Sequence, residues 1–162
     1  MQMEIESYLG NTLTGDARKS ATAFFEYLSD CGFQLERGQG YWADKLYWTV
    51  KHKGEYICFI LINGGEDKTE PVGWVIWMDS GRTGRFADNI PDERTKEIAL
   101  KHIDICGNCG GCDKPGGSRK TIFEKEFDNV CITPMRFDNP DAETVECVKR
   151  LVGLVCSFSH YL

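Results

Sequence analysis

Three thiols lie within the run Cys106-Gly107-Asn108-Cys109-Gly110-Gly111-Cys112, and a fourth, Cys131, follows after a predicted turn of chain. Thiolates spaced by two residues converge on one metal ion, and the intervening glycines allow the tight backbone path such convergence needs. The pattern predicts a zinc knuckle with Cys106, Cys109 and Cys112 as ligands. A structural zinc takes four ligands. Cys131 is the expected fourth because a hairpin returns it to the loop, and His102, just upstream of Cys106, is the runner-up. Lys101, Lys114, Arg119 and Lys120 bracket the cluster and offset thiolate charge.

Two other chemistries share this spacing. A redox pair of Cys106 and Cys109 would normally open a helix that depresses a thiol pKa, and Gly107, Gly110 and Gly111 disfavour a helix here. An iron–sulfur cluster would need a further cysteine where the chain reads Asp113-Lys114-Pro115. Cys31, Cys58, Cys147 and Cys156 fall in apolar helix or strand contexts and read as buried free thiols. No nucleophile elbow, phosphate loop or His-Glu-x-x-His helix is present, and His52, His102 and His160 show no partner for nucleophilic catalysis. Gly81-Arg82-Thr83-Gly84-Arg85 reads as a solvated loop before it reads as an anion site. No motif nominates an enzyme.

The elements that must position these groups follow from periodicity. Ala17, Ala21, Phe24, Phe25 and Leu28 recur at helical spacing over residues 16–30, and Gly32 follows as a stop. Residues 33–36, 46–52, 55–63 and 73–79 read as strands, the middle two joined at Lys53-Gly54. Pro91 opens a second helix reaching residue 103, and residues 120–127 and 130–137 read as a second strand pair. Asn139-Pro140 caps a final helix whose stripe is Val145, Val148, Leu151, Val152, Val155 and Phe158. Short connections between consecutive strands predict an α+β fold: a mostly antiparallel sheet of about five or six strands, helices packed on one face, and a cysteine-rich metal loop.

If Lys53-Gly54 is a two-residue hairpin loop, alternation places Leu46, Trp48, Val50, Ile57, Phe59 and Leu61 on the core face. Tyr47, Thr49, Tyr56, Cys58 and Ile60 take the other face, and Trp77 joins them. Tyr47, Tyr56 and Trp77 are thus candidate ligand-binding residues on a half-apolar surface, with burial beneath neighbouring segments as the plainer alternative.

The length of 162 residues is that of one domain, residues 1–162, with the metal loop around 102–131. A formal charge of -6 argues against nucleic acid as a general partner. The amino terminus lacks a basic start and apolar stretch, and the longest apolar run, 56–62, is too short to span a bilayer. A cytoplasmic, reducing setting with no membrane is therefore expected, which turns the cysteine count toward metal ligation.

Residues 56–63, the cysteine knuckle, residues 120–123 and 125–131, and Phe137-Asp138-Asn139-Pro140-Asp141 together resemble a group of small uncharacterised bacterial proteins. More distantly, the chain looks like the YdhG and YjbR type of small α+β domain. The chain departs from the group at Glu124 and Ile132, where glycines are expected. The resemblance implies an intact domain and brings no activity with it. The expectation from sequence is a zinc-containing module for a small-molecule or protein ligand, with a thiol oxidoreductase using Cys106 and Cys109 as the alternative.

Overall fold

The computed structural model describes residues 2–38, 46–62, 73–78, 92–107 and 116–158. It is an α+β protein with four helices among the described residues: α1 (Gln2–Thr12), α2 (Gly15–Asp30), α3 (Glu93–Leu100) and α4 (Ala142–Phe158). Seven strands, β1 (Gln34–Arg37), β2 (Leu46–His52), β3 (Glu55–Ile62), β4 (Trp74–Met78), β5 (Ile103–Ile105), β6 (Ser118–Ile122) and β7 (Lys125–Asp138), form one antiparallel sheet. The strand order is β1-β2-β3-β4-β7-β5, with β6 also paired to β7. This exceeds the expected five or six strands because β5 lies where the second helix was expected to continue, and that helix stops at Leu100. The chain divides into two compact units, Met1–Ile76 with Phe137–Val145, and Trp77–Arg136 with Glu146–Leu162.

In the first unit the Lys53-Gly54 turn forms as expected. Both residues take the left-handed conformation, at φ 50° and 81°, as a tight hairpin requires. The faces of β3 differ from the expectation. His52 pairs with Glu55 and Lys51 with Tyr56, yet Val50 pairs with Cys58, so Ile57 is an extra residue in β3. This bulge moves the rest of β3 by one position and exchanges its faces. Trp48 therefore lies opposite Ile60 and Leu46 opposite Ile62, while Thr49 lies opposite Phe59 and Tyr47 opposite Leu61. Trp48, Val50, Cys58, Ile60 and Ile62 are all buried, and α1 and α2 pack on that side through Trp48: Tyr8 and Phe25 each place a ring 5.9 Å from its ring, Phe25 edge-on.

Asn139 closes this unit. It was expected to cap the last helix, but Asp141 does so by accepting a hydrogen bond from Thr144 N at 2.8 Å. Asn139 instead exchanges two bonds with Trp74: its Oδ1 accepts from Trp74 N (2.9 Å), and its own N donates to Trp74 O (2.8 Å).

In the second unit, Asp92 caps α3, accepting from Thr95 N at 2.7 Å and from the Thr95 hydroxyl, while Arg150 of α4 donates to its other oxygen at 2.8 Å. The hydrogen bonds from Thr95, and then the Arg150 charge, hold the Asp92 carboxyl below the usual carboxylate range. A depressed native pKa contributes stability that is fully present above the unfolded value of about 3.9 and is lost as pH falls through the native value. Asp92→Asn is expected to flatten the fall in stability below about pH 4, measured by urea denaturation at a series of acid pH values. An acid limb identical to that of the parent protein would contradict this.

The second hairpin turns earlier than expected. Ile122 pairs with Lys125, so the turn is Phe123-Glu124 and not residues 128–129. Phe123 and Glu124 take φ of 48° and 65°, a conformation that costs a non-glycine residue about 1–2 kcal/mol. Burial of the Phe123 ring offsets this. Glycine adopts this conformation without that cost, and Glu124→Gly is expected to stabilise the protein by about 1 kcal/mol. A lower urea midpoint in this variant would contradict the assignment of the turn.

Candidate functional site

Ile5 and Leu9 are buried one turn apart on α1, and Leu13, just past its end, is buried after them. On α2, Thr22, Phe25, Glu26 and Ser29 fall at i, i+3, i+4 and i+7 and form a second stripe. The α2 helix ends in a Schellman motif: Phe33 N donates to Leu28 O (2.9 Å) and Gly32 N to Ser29 O (3.0 Å). Gly32 sits at φ 73°, the left-handed conformation this motif needs. That turn reverses the chain and carries Phe33 and Leu35 to the foot of the two helical stripes.

The three segments enclose a cleft of about 300 Å³ lined by Ile5, Glu6, Leu9, Thr22, Phe25, Glu26, Ser29, Phe33 and Leu35. Ile5, Leu9, Phe25 and Phe33 are buried and form an apolar interior, while Glu6, Glu26 and Ser29 are exposed. Glu6 and Glu26 are the only charged groups among these lining residues. The volume is at the lower end of small-molecule sites and about twice that of the cavity that holds benzene in a protein core. Phe25, which lines the cleft, rests edge-on against Trp48, so the interior is fixed directly to the sheet.

The residues singled out from sequence are placed elsewhere. Cys109 and Cys112 lie outside the described residues. At the end of β5, Cys106 N donates to Asn129 O of β7 at 2.8 Å, and Ile105 pairs with Val130, the residue before Cys131. What gathers there is a backbone junction. Asn129, at φ 56°, donates through Nδ2 to Cys106 O (3.2 Å) and accepts at Oδ1 from Gly117 N (2.9 Å), so one side chain fastens the end of β5 to the start of β6.

Among the described residues, no group of three or more His, Cys, Asp or Glu side chains is placed to hold a metal ion. This corrects the reading of the protein as a zinc module. His102, the alternative ligand, follows α3 in a turn, donating its N–H to Ala99 O while its carbonyl accepts from Arg136 N. Two of the flanking cations have other partners: Arg119 pairs with Asp128 at 2.7 Å, and Lys120 donates to Ile132 O. The thiol oxidoreductase alternative rests on Cys106 and Cys109, and Cys109 lies outside the described residues. Burial and the nearby Asp104 charge push the Cys131 thiol up.

The remaining thiols divide. Cys58 is buried, and desolvation raises its pKa far above the usual thiol value; Cys147 is buried and donates to Thr95 O at 3.5 Å. Cys31 is exposed at the end of α2, against the expectation of burial, and the Cys156 side chain lies outside the described residues.

The aromatic trio also separates by environment. Tyr47 and Trp77 are each 6% exposed, whereas Tyr56 is 52% exposed. Tyr47 packs against Gly38, where an added Cβ would fall inside its ring. Arg136 covers Trp77 with its guanidinium 5.0 Å from the ring centre. Tyr56 and Phe59 lie on the same face with rings 6.1 Å apart, a consequence of the β3 bulge, and Lys51 lies over Tyr56 at 4.8 Å.

The sequence reading missed Glu6, Leu9, Thr22, Glu26, Ser29 and Leu35. The four-residue recurrence of Ile5, Leu9 and Leu13 marks α1 as amphipathic and was the available signal. Comparison of the chain with protein-family models, curated proteins and solved structures finds no match. No helix among the described residues is long and apolar enough to cross a membrane.

Proposed function

We propose that this α+β protein is a small-molecule binding protein whose site is the cleft between α1, α2 and β1. The observation that carries this reading is the cleft itself: about 300 Å³ of space with an interior of Ile5, Leu9, Phe25 and Phe33, opening at Glu6, Glu26 and Ser29. Packed interiors leave few voids larger than a water molecule. An open apolar space of this size removes a ligand's hydrocarbon from water at about 25 cal/mol per Å², and the helical stripes that line it are already held by the Trp48 contacts.

The occupant is a short hydrocarbon or single-ring compound. Thr22 lines the cleft and is only partly buried, so a larger side chain there fills the space without opening the core. Titration of 1-hexanol into the parent protein, followed through the methyl NMR signals of Ile5, Leu9 and Leu35, is expected to shift those signals saturably. Thr22→Phe is expected to weaken binding at least tenfold while leaving the circular dichroism spectrum unchanged. Binding of equal strength to the folded Thr22→Phe protein would overturn the assignment of the cleft.

A further inference from the structure

We infer that the ligand of this cleft is an organic cation, an ammonium group carrying a short alkyl or aryl tail; the inference rests on the cleft being a binding site. The cleft residues carry two carboxylates and no base: Glu6 comes from α1 and Glu26 from α2, above an interior contributed by Ile5, Leu9, Phe25 and Phe33. A tail buried in that interior brings its head group to the level of these two exposed carboxylates, and the Thr22 and Ser29 oxygens add acceptors in the same lining. An ammonium head supplies three N–H donors, which suit carboxylate and hydroxyl acceptors of this kind. A carboxylate head meets two like charges instead.

No lysine, arginine or histidine is among the residues that line the cleft. α1, from Gln2 to Thr12, contains no lysine or arginine. On α2, Lys19 pairs with Asp16 at 3.1 Å. Arg18, one turn before Thr22, lies over Gly10, where an added Cβ would stand 3.3 Å from its Nη2. Beyond the cleft, Lys51 is engaged with Glu36 and Arg37 donates to Tyr47 O. The negative field at the mouth is therefore left to the ligand, and the formal charge of -6 draws cations toward the protein as a whole. Both carboxylates are exposed, so the discrimination is moderate and sensitive to salt.

The test compares three probes of equal tail length, 1-hexylamine, 1-hexanol and heptanoate, by methyl NMR titration at neutral pH and low ionic strength. Hexylamine is expected to bind about tenfold more tightly than hexanol, with heptanoate weakest, and the advantage is expected to shrink at high salt. In the Glu6→Gln, Glu26→Gln double variant, hexylamine is expected to lose its advantage over hexanol. Hexanol binding with no preference for the amine overturns the inference and leaves the binding site standing. Failure of both hexanol and hexylamine to shift Ile5, Leu9 and Leu35 overturns site and inference together. Binding that weakens as protein concentration rises shows a second copy of the chain occupying the cleft, and also overturns the inference.

Discussion

Trp48→Ala is expected to lower the stability of the first unit by about 3–5 kcal/mol, measured by urea denaturation. Trp48 is 2% exposed and stands at the junction of three elements. On one side it meets Tyr8 of α1 and Phe25 of α2, each at 5.9 Å, and the Arg37 guanidinium lies 5.3 Å from its ring centre. Truncation leaves a large void and removes the wall against which Phe25 lines the cleft, so hexanol binding should be lost with the stability. Trp77→Ala is expected to cost a comparable amount, because Trp77 is also a buried ring, at 6% exposure. A Trp77 variant as stable as the parent protein would mean its ring faces solvent, contrary to this structure.

Gly73→Ala is expected to cost about 3 kcal/mol, at the upper end of the range for overpacked sites. An added Cβ would lie 2.3 Å from Asn139 Oδ1 and 2.6 Å from its Nδ2. The amide cannot simply swing aside, since its oxygen accepts from Trp74 N and the Asn139 backbone donates to Trp74 O. The cost should be strongly coupled to Asn139. Asn139→Gly removes the obstructing amide and suits the φ of 44° at that position, so Gly73→Ala is expected to be much less damaging in the Asn139→Gly background. Additive losses in the double variant would contradict the close approach.

Much of the architecture is legible in the residues, and the exceptions have identifiable causes. The Lys53-Gly54 hairpin is readable because Gly54 declares a left-handed turn between two apolar runs. The bulge at Ile57 is not, since no glycine or polar residue marks it, and one inserted residue is enough to exchange the two faces of β3. Phe123-Glu124 is equally silent, because neither residue type favours positive φ and the burial that retains Phe123 there is a tertiary effect.

The cleft was hidden for another reason. Thr22, Glu26 and Ser29 look like the solvated stripe of an amphipathic helix, and only the approach of α1 and the reversal at Gly32 turn that stripe into the wall of a site. The cysteine run shows the opposite imbalance. Its spacing is a strong local signal, but among the described residues no metal-holding group is assembled.

The central claim is that the space between α1, α2 and β1 is a ligand site, and intermolecular NOEs from bound 1-hexanol to the isotopically labelled protein test it most directly. The account predicts NOEs from the alkyl chain to Ile5, Leu9, Phe25 and Leu35, with the hydroxyl-bearing carbon nearest Glu6 and Glu26. NOEs confined to the exposed Tyr56, Ile105 or Ile132 side chains, or the absence of intermolecular NOEs at saturating hexanol, would contradict it.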